Sequence, residues 1–498
     1  MMENSTLRPL TLLLAATALV VGIVGCDTFE TLDTQPENSV PADQALIDAQ
    51  GANSTLLGLY DETQGFLDDY TIFSALAADQ ADHTGSFPSW AAVDDHTLAS
   101  TSPEAEGQWN GLYDAINVAN LLVEKVRTDS LENLGENEAA SIRAQARTIR
   151  AFSYHGLIRW FGDQDDLVDE GESGDDGVPI ILEPTENIDD ITFPTRSSVG
   201  EVYQQILDDL STAESLLEEN PEAPNEAGFV DALTIDALQA RVYLYRASLK
   251  RRAGESAQGD YQAARDNAQA VLSQNDNLSR LDAIYGAQNS GESLWEIQYS
   301  STDGNAMSFF ARPNGEGGRE EYNLENDRQD EFVSDSLDNR LGVNVKTAGG
   351  TDFIGKYFRI DGSDHHYILR VSEVKLILAE ALAFLDFEGN QSAIIEQVND
   401  IRERSYNEFN EGDPQPDFQE ADAELEPGDV QTQQDAIDLI LAERKDELAF
   451  EGHRWHDLNR LGRVQEVENL QDPERDLRWP IPQEELDVND NLKQNPNY

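Results

Sequence analysis

Apolar residues recur every three to four positions over most of this chain, and that repeat confines it to stacked helices more tightly than any other feature. Val199, Val202, Tyr203, Ile206, Leu210, Ala213 and Leu217 form one stripe at helical spacing. Ser198 with Glu201 three residues later supplies a capping box at its start. Residues 234–250 predict a second helix, small and aromatic along one face, and 260–273 a third after a short loop. Further helices are predicted over 109–126, 138–161, 371–384, 392–405 and 435–451.

Two helices joined by a short loop, with alanines where they cross, have the form of a tetratricopeptide-like hairpin. No strict period links the pairs, so the expected fold is mostly α: a tetratricopeptide-like helical-repeat scaffold carrying long irregular insertions. The insertions fall at 77–101, 162–193, 299–352 and 407–431, and are rich in Gly, Asp, Pro and aromatics. Long loops on a rigid scaffold are where ligand-binding faces are built.

Charge narrows the partners. The 498 residues include 97 Asp and Glu against 34 Lys and Arg, a net charge of −63. Such a surface repels phosphate backbones, which excludes nucleic acid. It repels anionic headgroups as well, so residence at a membrane requires a covalent anchor. The acid is spread along the chain, as in a solvated shell whose self-repulsion salt screens. The hydrophobic share of 39% is enough for a sizeable core.

The anchor has a candidate. Residues 10–24 form an apolar run after Arg8, too short for a comfortable membrane span, and Gly25 and Cys26 follow it. Cys26 is the only cysteine, so no intramolecular disulfide forms. Ile23-Val24-Gly25-Cys26 reads as a lipobox, with 1–25 a lipoprotein signal peptide and Cys26 the acylated first residue of the mature chain. The bland alternative is an ordinary signal peptide with an incidental cysteine. Residues 26–50 are polar and proline-punctuated, a tether. The remainder reads as one intertwined globular unit, 51–280 and 281–498.

The C-terminal third carries the most specific pattern. Glu443-Arg444 leads into Glu447-Leu448-Ala449-Phe450-Glu451-Gly452-His453-Arg454-Trp455 and Asp457-Leu458, and the chain closes on Pro480-Ile481-Pro482 and Gln494-Asn495-Pro496-Asn497-Tyr498. Upstream stand Arg370-Val371-Ser372-Glu373-Val374, Ala379-Glu380-Ala381 and Asn399-Asp400-Ile401-Arg402-Glu403-Arg404. Arg150-Ala151-Phe152-Ser153-Tyr154, Phe161-Gly162-Asp163 and the spacing of Trp109, Tyr113, Ile116 and Asn120 complete the set. In this order the pieces resemble the SusD/RagB family. One departure follows Gly162-Asp163, where the family continues with Val-Pro; here Pro179 comes only after an acidic insert.

The resemblance implies four tetratricopeptide-like helix pairs on the outer leaflet of the cell outer membrane. It implies capture of oligosaccharides, or in some branches peptides, and their delivery to a SusC-like TonB-dependent transporter, with no catalysis and no cofactor. By order along the chain it also points to Asp79 and Trp90 as ligand contacts.

The residues themselves suggest the same class of site. Sugar capture needs an aromatic platform flanked by polar groups. Asp79, His83, Phe87 and Trp90 offer one such mix, and Tyr299, Phe309, Phe310 and Arg312 a second. The competing reading is that Trp90, Phe309 and Phe310 plug their loops onto the scaffold. Glu443, Glu447 and Glu451 fall on one face of the predicted 435–451 helix, with Arg444 and Arg454 at its edges. Together with Gly452, Trp455 and Asp457 they read as a structural signature, the arginines keeping the acids ionised. His453/His456 and His365/His366 lack a third ligand and read as solvated or capping histidines, not a metal site. Asp175-Asp176 and residues 487–491 are oxygen-rich runs suited to a surface calcium, without the twelve-residue calcium loop. No nucleophile elbow, phosphate loop or dinucleotide fingerprint is present. A surface glycoside hydrolase and a ligand-free scaffold are the rival functions.

Overall fold

Ala52, Leu56, Leu59, Thr63, Phe66 and Tyr70 recur at alternating spacings of three and four and are all buried. They fix the first long helix of the computed structural model, α1 (Ala49–Leu76), whose N-terminus is capped by Asp48 accepting from the Gly51 N–H at 2.9 Å. The structure describes residues 45–498 apart from 128–130, 164–175, 221–227, 288–289, 325–337, 408–423, 468–469 and 471–472. Cys26, the signal segment and most of the expected tether lie outside the described residues. The tether was expected to run through Gln50, but α1 already starts at Ala49 and Leu46 is buried.

Helix α2 (Pro88–Asp94) sits inside the expected insertion 77–101. Pro103 in the first turn, with Glu104 and Glu106, starts α3 (Pro103–Lys125) earlier than its apolar stripe suggested. Helix α4 (Glu136–Phe161) is alanine-rich and buried on every side from Ala139 onward, so it lies at the centre of the stack. Helix α5 (Val199–Glu219) has the capping box: Glu201 accepts from the Ser198 N–H at 2.9 Å, and the Ser198 hydroxyl from the Glu201 N–H at 3.1 Å. Helices α6 (Ala232–Arg252) and α7 (Gln258–Gln274) form the expected hairpin. Short α8 (Met307–Ala311) and α9 (Arg340–Asn344) punctuate the long insertion. The helices expected at 371–384 and 392–405 are joined in α10 (Val371–Asn407) across a kink at Asp386, whose φ is −162°.

Helix α11 (Gln433–Glu447) ends earlier than the predicted 435–451. Leu448–Gly452 turns back with Phe450 and Gly452 at positive φ, 59° and 82°, and α12 (Arg454–Leu461) begins beyond it. A last short helix, α13 (Gln483–Val488), precedes the C-terminus.

Each long helix packs on its neighbours in order: α1 on α3, α3 on α4, α4 on α5, α5 on α6, α6 on α7, α7 on α10, α10 on α11. The fold is therefore mostly α, a tetratricopeptide-like stack in which contacts run from one element to the next. Three two-stranded antiparallel pairs tie the insertions to it: β1 (Asp82–His83) with β3 (Tyr322–Asn323), β2 (Ser293–Ile297) with β6 (His366–Arg370), and the hairpin β4 (Val345–Ala348) with β5 (Thr351–Ile354). Residues Leu46–Tyr498 make one compact unit around a continuous core. Among the described residues no helix is long and apolar enough to cross a membrane.

Candidate functional site

The β1–β3 pairing brings the two sequence-predicted segments together. Glu321, just before β3, reaches across to the first loop and accepts from the backbone N–H groups of Ser86 and Phe87 at 2.6 and 3.0 Å and from the Ser86 hydroxyl at 3.0 Å. Arg319 pairs with it at 2.9 Å. Burial opposes ionisation of this carboxyl, but the Ser86 and Phe87 donors and Arg319 outweigh it and hold the pKa below the ordinary value. Gly85 makes the approach feasible, because a Cβ there would lie 2.5 Å from the Glu321 Cα.

Over this clamp sits an aromatic cluster. Trp90 packs edge-on against Phe310, Phe87 and Phe73, with ring centroids 4.9, 5.5 and 5.6 Å away. Phe309 stands 5.5 Å from Phe310 and is 44% exposed. The Arg319 guanidinium lies 4.3 Å from the centre of the Phe87 ring. Half-buried Phe87, exposed Phe309 and Arg319 thus present apolar ring surface beside a charged donor fork.

The expected ligand contacts divide into those on this surface and those beneath it. Trp90 was read as a platform, but it is 6% exposed and surrounded by rings, so it wedges the loop against α1. Tyr299 is equally buried; its hydroxyl donates to Asp68 at 3.0 Å, and Asp68 also accepts from the Ala306 N–H at 2.9 Å. Asp79 was read as a ligand contact, yet both its oxygens accept from Arg454, at 2.7 and 2.8 Å, and Lys445 is 3.0 Å away. Burial would raise its pKa, but Arg454 and Lys445 pull it well below the carboxylate range. Arg312 donates to the Phe358 carbonyl at 2.5 Å and lies over the Phe353 ring. His83 is held by β1, its Nε2 3.9 Å from Glu321. Phe310 is half-buried under Phe309. Glu321 and Arg319 escaped the sequence reading; the only signal for them was the charge run Arg319-Glu320-Glu321 after a glycine-rich turn.

The C-terminal signature forms a second, buried constellation. Arg370 donates to Glu292, Glu447 and Glu451 at 2.6, 2.9 and 2.9 Å. Arg404 reaches Glu447 at 2.6 Å, Arg340 reaches Glu443 at 2.5 Å, and Lys356 pairs with Glu451. Because α11 stops at Glu447, the three glutamates do not share one helix face. The cations that pair with them come from other segments: Arg444 turns instead to Asp457 at 2.7 Å and Arg454 to Asp79. Burial works against ionisation of Glu447, yet Arg404, Arg370 and Arg340 hold its pKa far below normal. Glu292, Glu443, Glu447, Glu451 and Arg370 are at most 6% exposed, which closes them to substrate. Gly452 allows the turn, and Trp455 is buried against His96.

Of the histidines expected to be solvated, His366, His453 and His456 are buried and His365 is half-buried. His456 Nε2 meets the Tyr70 hydroxyl at 2.7 Å and His366 Nε2 the Thr71 hydroxyl at 2.9 Å. Burial pushes His366 down to about 4 and holds His453 and His456 well below the ordinary imidazole value, so all three are neutral. Among the described residues no group of three or more His, Cys, Asp or Glu is placed to hold a metal ion. In the run 487–491, Asn489 and Asn491 donate to the carbonyls of Pro194 and Phe193; Asp175 lies outside the described residues. Trp109, Tyr113, Ile116 and Asn120 line a groove of about 450 Å³, where Tyr113 and Asn120 donate to the carbonyls of Pro179 and Ile181.

Two family models match the chain: one described as the SusD family over residues 356–498, the other as starch-binding, associating with the outer membrane, over residues 30–244. A SusD-like protein P2 of Formosa agariphila is 28% identical over 466 residues, covering 82% of this chain and 83% of its own. A SusD superfamily protein of Bacteroides thetaiotaomicron superposes with a TM-score of 0.71 at 24% identity, over 91% of this chain and 100% of the other. A structure described as a laminarin-binding SusD-like protein gives 0.69 at 19% identity, over 91% and 100%.

Proposed function

Because the chain belongs to the SusD family, whose members are outer-membrane-associated glycan binders, we propose that it captures oligosaccharides at the cell surface, does not cleave them, and delivers them to a SusC-like TonB-dependent receptor. The observation that carries this reading is the surface made by Phe87, Phe309 and Arg319 on two loops that Glu321 locks together. Ring faces take the apolar CH side of a sugar, and a guanidinium beside them takes its hydroxyls. Trp90 and Phe310 support that surface from below. The laminarin-binding description of one structural neighbour favours a glycan over a peptide as ligand.

The net charge of −63 leaves no electrostatic route to an anionic leaflet, which supports a lipid anchor at Cys26. Glu447 and Glu451 are held ionised by the arginines and Lys356 around them and are shut from solvent, the opposite of a general acid in a glycosidase.

Isothermal titration against oligosaccharides and peptides tests the reading. Saturable binding of a glycan, lost in Phe309→Ala with no new reducing ends released, is the expected result. No binding across the panel, or release of reducing ends, overturns it. Purification from membranes in mild detergent is expected to bring down a large β-barrel, and the mature N-terminal peptide to carry acyl chains on Cys26.

A further inference from the structure

With nearly three acids for every base, a lysine in this chain ordinarily has a carboxylate beside it. Lys356, Lys375 and Lys445 each do. Lys346 does not. Among the described residues its Nζ has one hydrogen-bond acceptor, the Gly342 carbonyl at 2.6 Å, and lies 5.5 Å from the centre of the Phe358 ring. An ammonium has three N–H donors, so among the described residues two are uncommitted.

The position is built. Lys346 stands on β4, whose hairpin with β5 is closed by Gly349 and Gly350 at φ 59° and 88°. The Lys346 stem runs over Gly355, where a Cβ would lie 2.8 Å from the Lys346 backbone nitrogen. Phe358 carries a second cation, the Arg359 guanidinium, 5.2 Å from its centre. Lys346, Phe358, Tyr285 and Arg280 line one cavity of about 380 Å³, large enough for a sugar residue. Among the described residues that line it the one carboxylate, Asp282, is held by Arg280 at 3.0 Å. The cavity is thus a locally cationic pocket in a strongly acidic protein. Burial lowers the pKa of the Lys346 ammonium, and no carboxylate counteracts it.

We infer that this cavity is a subsite for a negatively charged sugar unit, whose carboxylate or sulfate group is received by the free donors of Lys346. The inference rests on the glycan-capture reading and narrows it to acidic oligosaccharides. An anionic substituent supplies the counter-charge that the protein withholds from this lysine, and the resulting hydrogen bonds are charge-assisted. Such a pocket also selects against neutral glycans, which leave the half-desolvated ammonium unpaired.

The test uses the full-length protein and three trisaccharides: a galacturonate, a sulfated galactan and its unsulfated counterpart. Binding of at least one anionic probe is expected to exceed that of the neutral one by about tenfold, the worth of one charge-assisted contact. Lys346→Gln is expected to erase that preference while leaving the unfolding midpoint unchanged, since the side chain is half-exposed. Preference for the uronate identifies the charge as a carboxylate, and preference for the sulfated probe as a sulfate ester; either supports the subsite. Equal binding of all three, or a preference that survives Lys346→Gln, overturns it. If the neutral probe binds through Phe309 with no anionic preference, the subsite falls and glycan capture stands. If no glycan in the wider panel binds, capture itself fails, and the subsite with it.

Discussion

The C-terminal signature and the aromatic loop surface both gather arginine, glutamate and aromatic rings, and they use them in opposite ways. In the signature, Arg370 touches three glutamates from two chain segments, all buried, and its contacts hold the fold together. At the loop surface, one buried glutamate fixes a backbone turn so that Arg319, Phe87 and Phe309 face outward. The difference is where desolvation falls. Inside the signature it falls on the charges themselves, so every one must be matched. At the surface it falls on Glu321 alone, which Arg319 and the Ser86 and Phe87 donors match, and the Phe309 ring that meets a ligand is left exposed.

That contrast can be broken most directly at Arg370. Arg370→Ala leaves Glu292, Glu447 and Glu451 short of a cation in the core and is expected to cost about 3–5 kcal/mol, measured by urea denaturation. Unfolding at wild-type denaturant concentration would show that the network is decorative.

The pH dependence separates the two regions by sign. Burial pushes Asp68, beneath the loop surface, up to about 6, partly offset by the Ala306 N–H and the Tyr299 hydroxyl. The folded chain then keeps a proton that the unfolded chain has already lost between about pH 4 and pH 6, so stability falls as pH rises through that window. Asp79 and Glu447 are shifted the other way, and their contribution is lost as pH falls below the ordinary carboxylate range. Stability is expected to peak between about pH 4 and pH 5, and the part of the fall from pH 5 to 7 attributable to Asp68 is about 1.4 kcal/mol, one unit at 1.36 kcal/mol per unit. Asp68→Asn should flatten that limb in denaturation curves at pH 5 and 7; an unchanged slope would count against the assignment.

Glu321→Ala removes the acceptor for two backbone N–H groups, at roughly 1–3 kcal/mol. Hydrogen exchange is expected to quicken at residues 84–90 while α4 stays protected, and glycan binding to weaken with it. Phe309→Ala comes last in stability, within about 0.5 kcal/mol because the ring is exposed, yet it should abolish most of the binding. Equal loss of both in this variant would place Phe309 with the signature rather than with the ligand.

Much of the scaffold was legible because its signals are local. The Ser198–Glu201 box and the stripe behind it define α5 without help from the rest of the chain. Helix α1 was not found: Gly51, Gly58 and Gly65 lower its helical propensity, and only packing against α3 and α4 compensates. Nor did the end of α11 announce itself, since Leu448-Ala449-Phe450 continues an apolar helical pattern until the positive φ of Phe450 breaks it. Both loop segments of the candidate site were visible as aromatic-rich insertions. Their meeting was not, because the β1–β3 pairing joins residues some 240 positions apart. Without that pairing, Trp90 reads as an exposed platform and Glu321 as one more surface acid.

The glutamates around Arg370 have a further consequence, for the order in which the molecule is made. Arg340, Lys356, Arg370 and Arg404 all leave the ribosome before Glu443, Glu447 and Glu451. Until those late acids arrive, Asp338 and Glu292 are the carboxylates that Arg340, Arg370 and Arg404 can meet there, so closing the centre early would leave Lys356 and part of the arginine charge unmatched. Full closure of the centre is therefore expected only once the stretch from Glu443 to Glu451 is present.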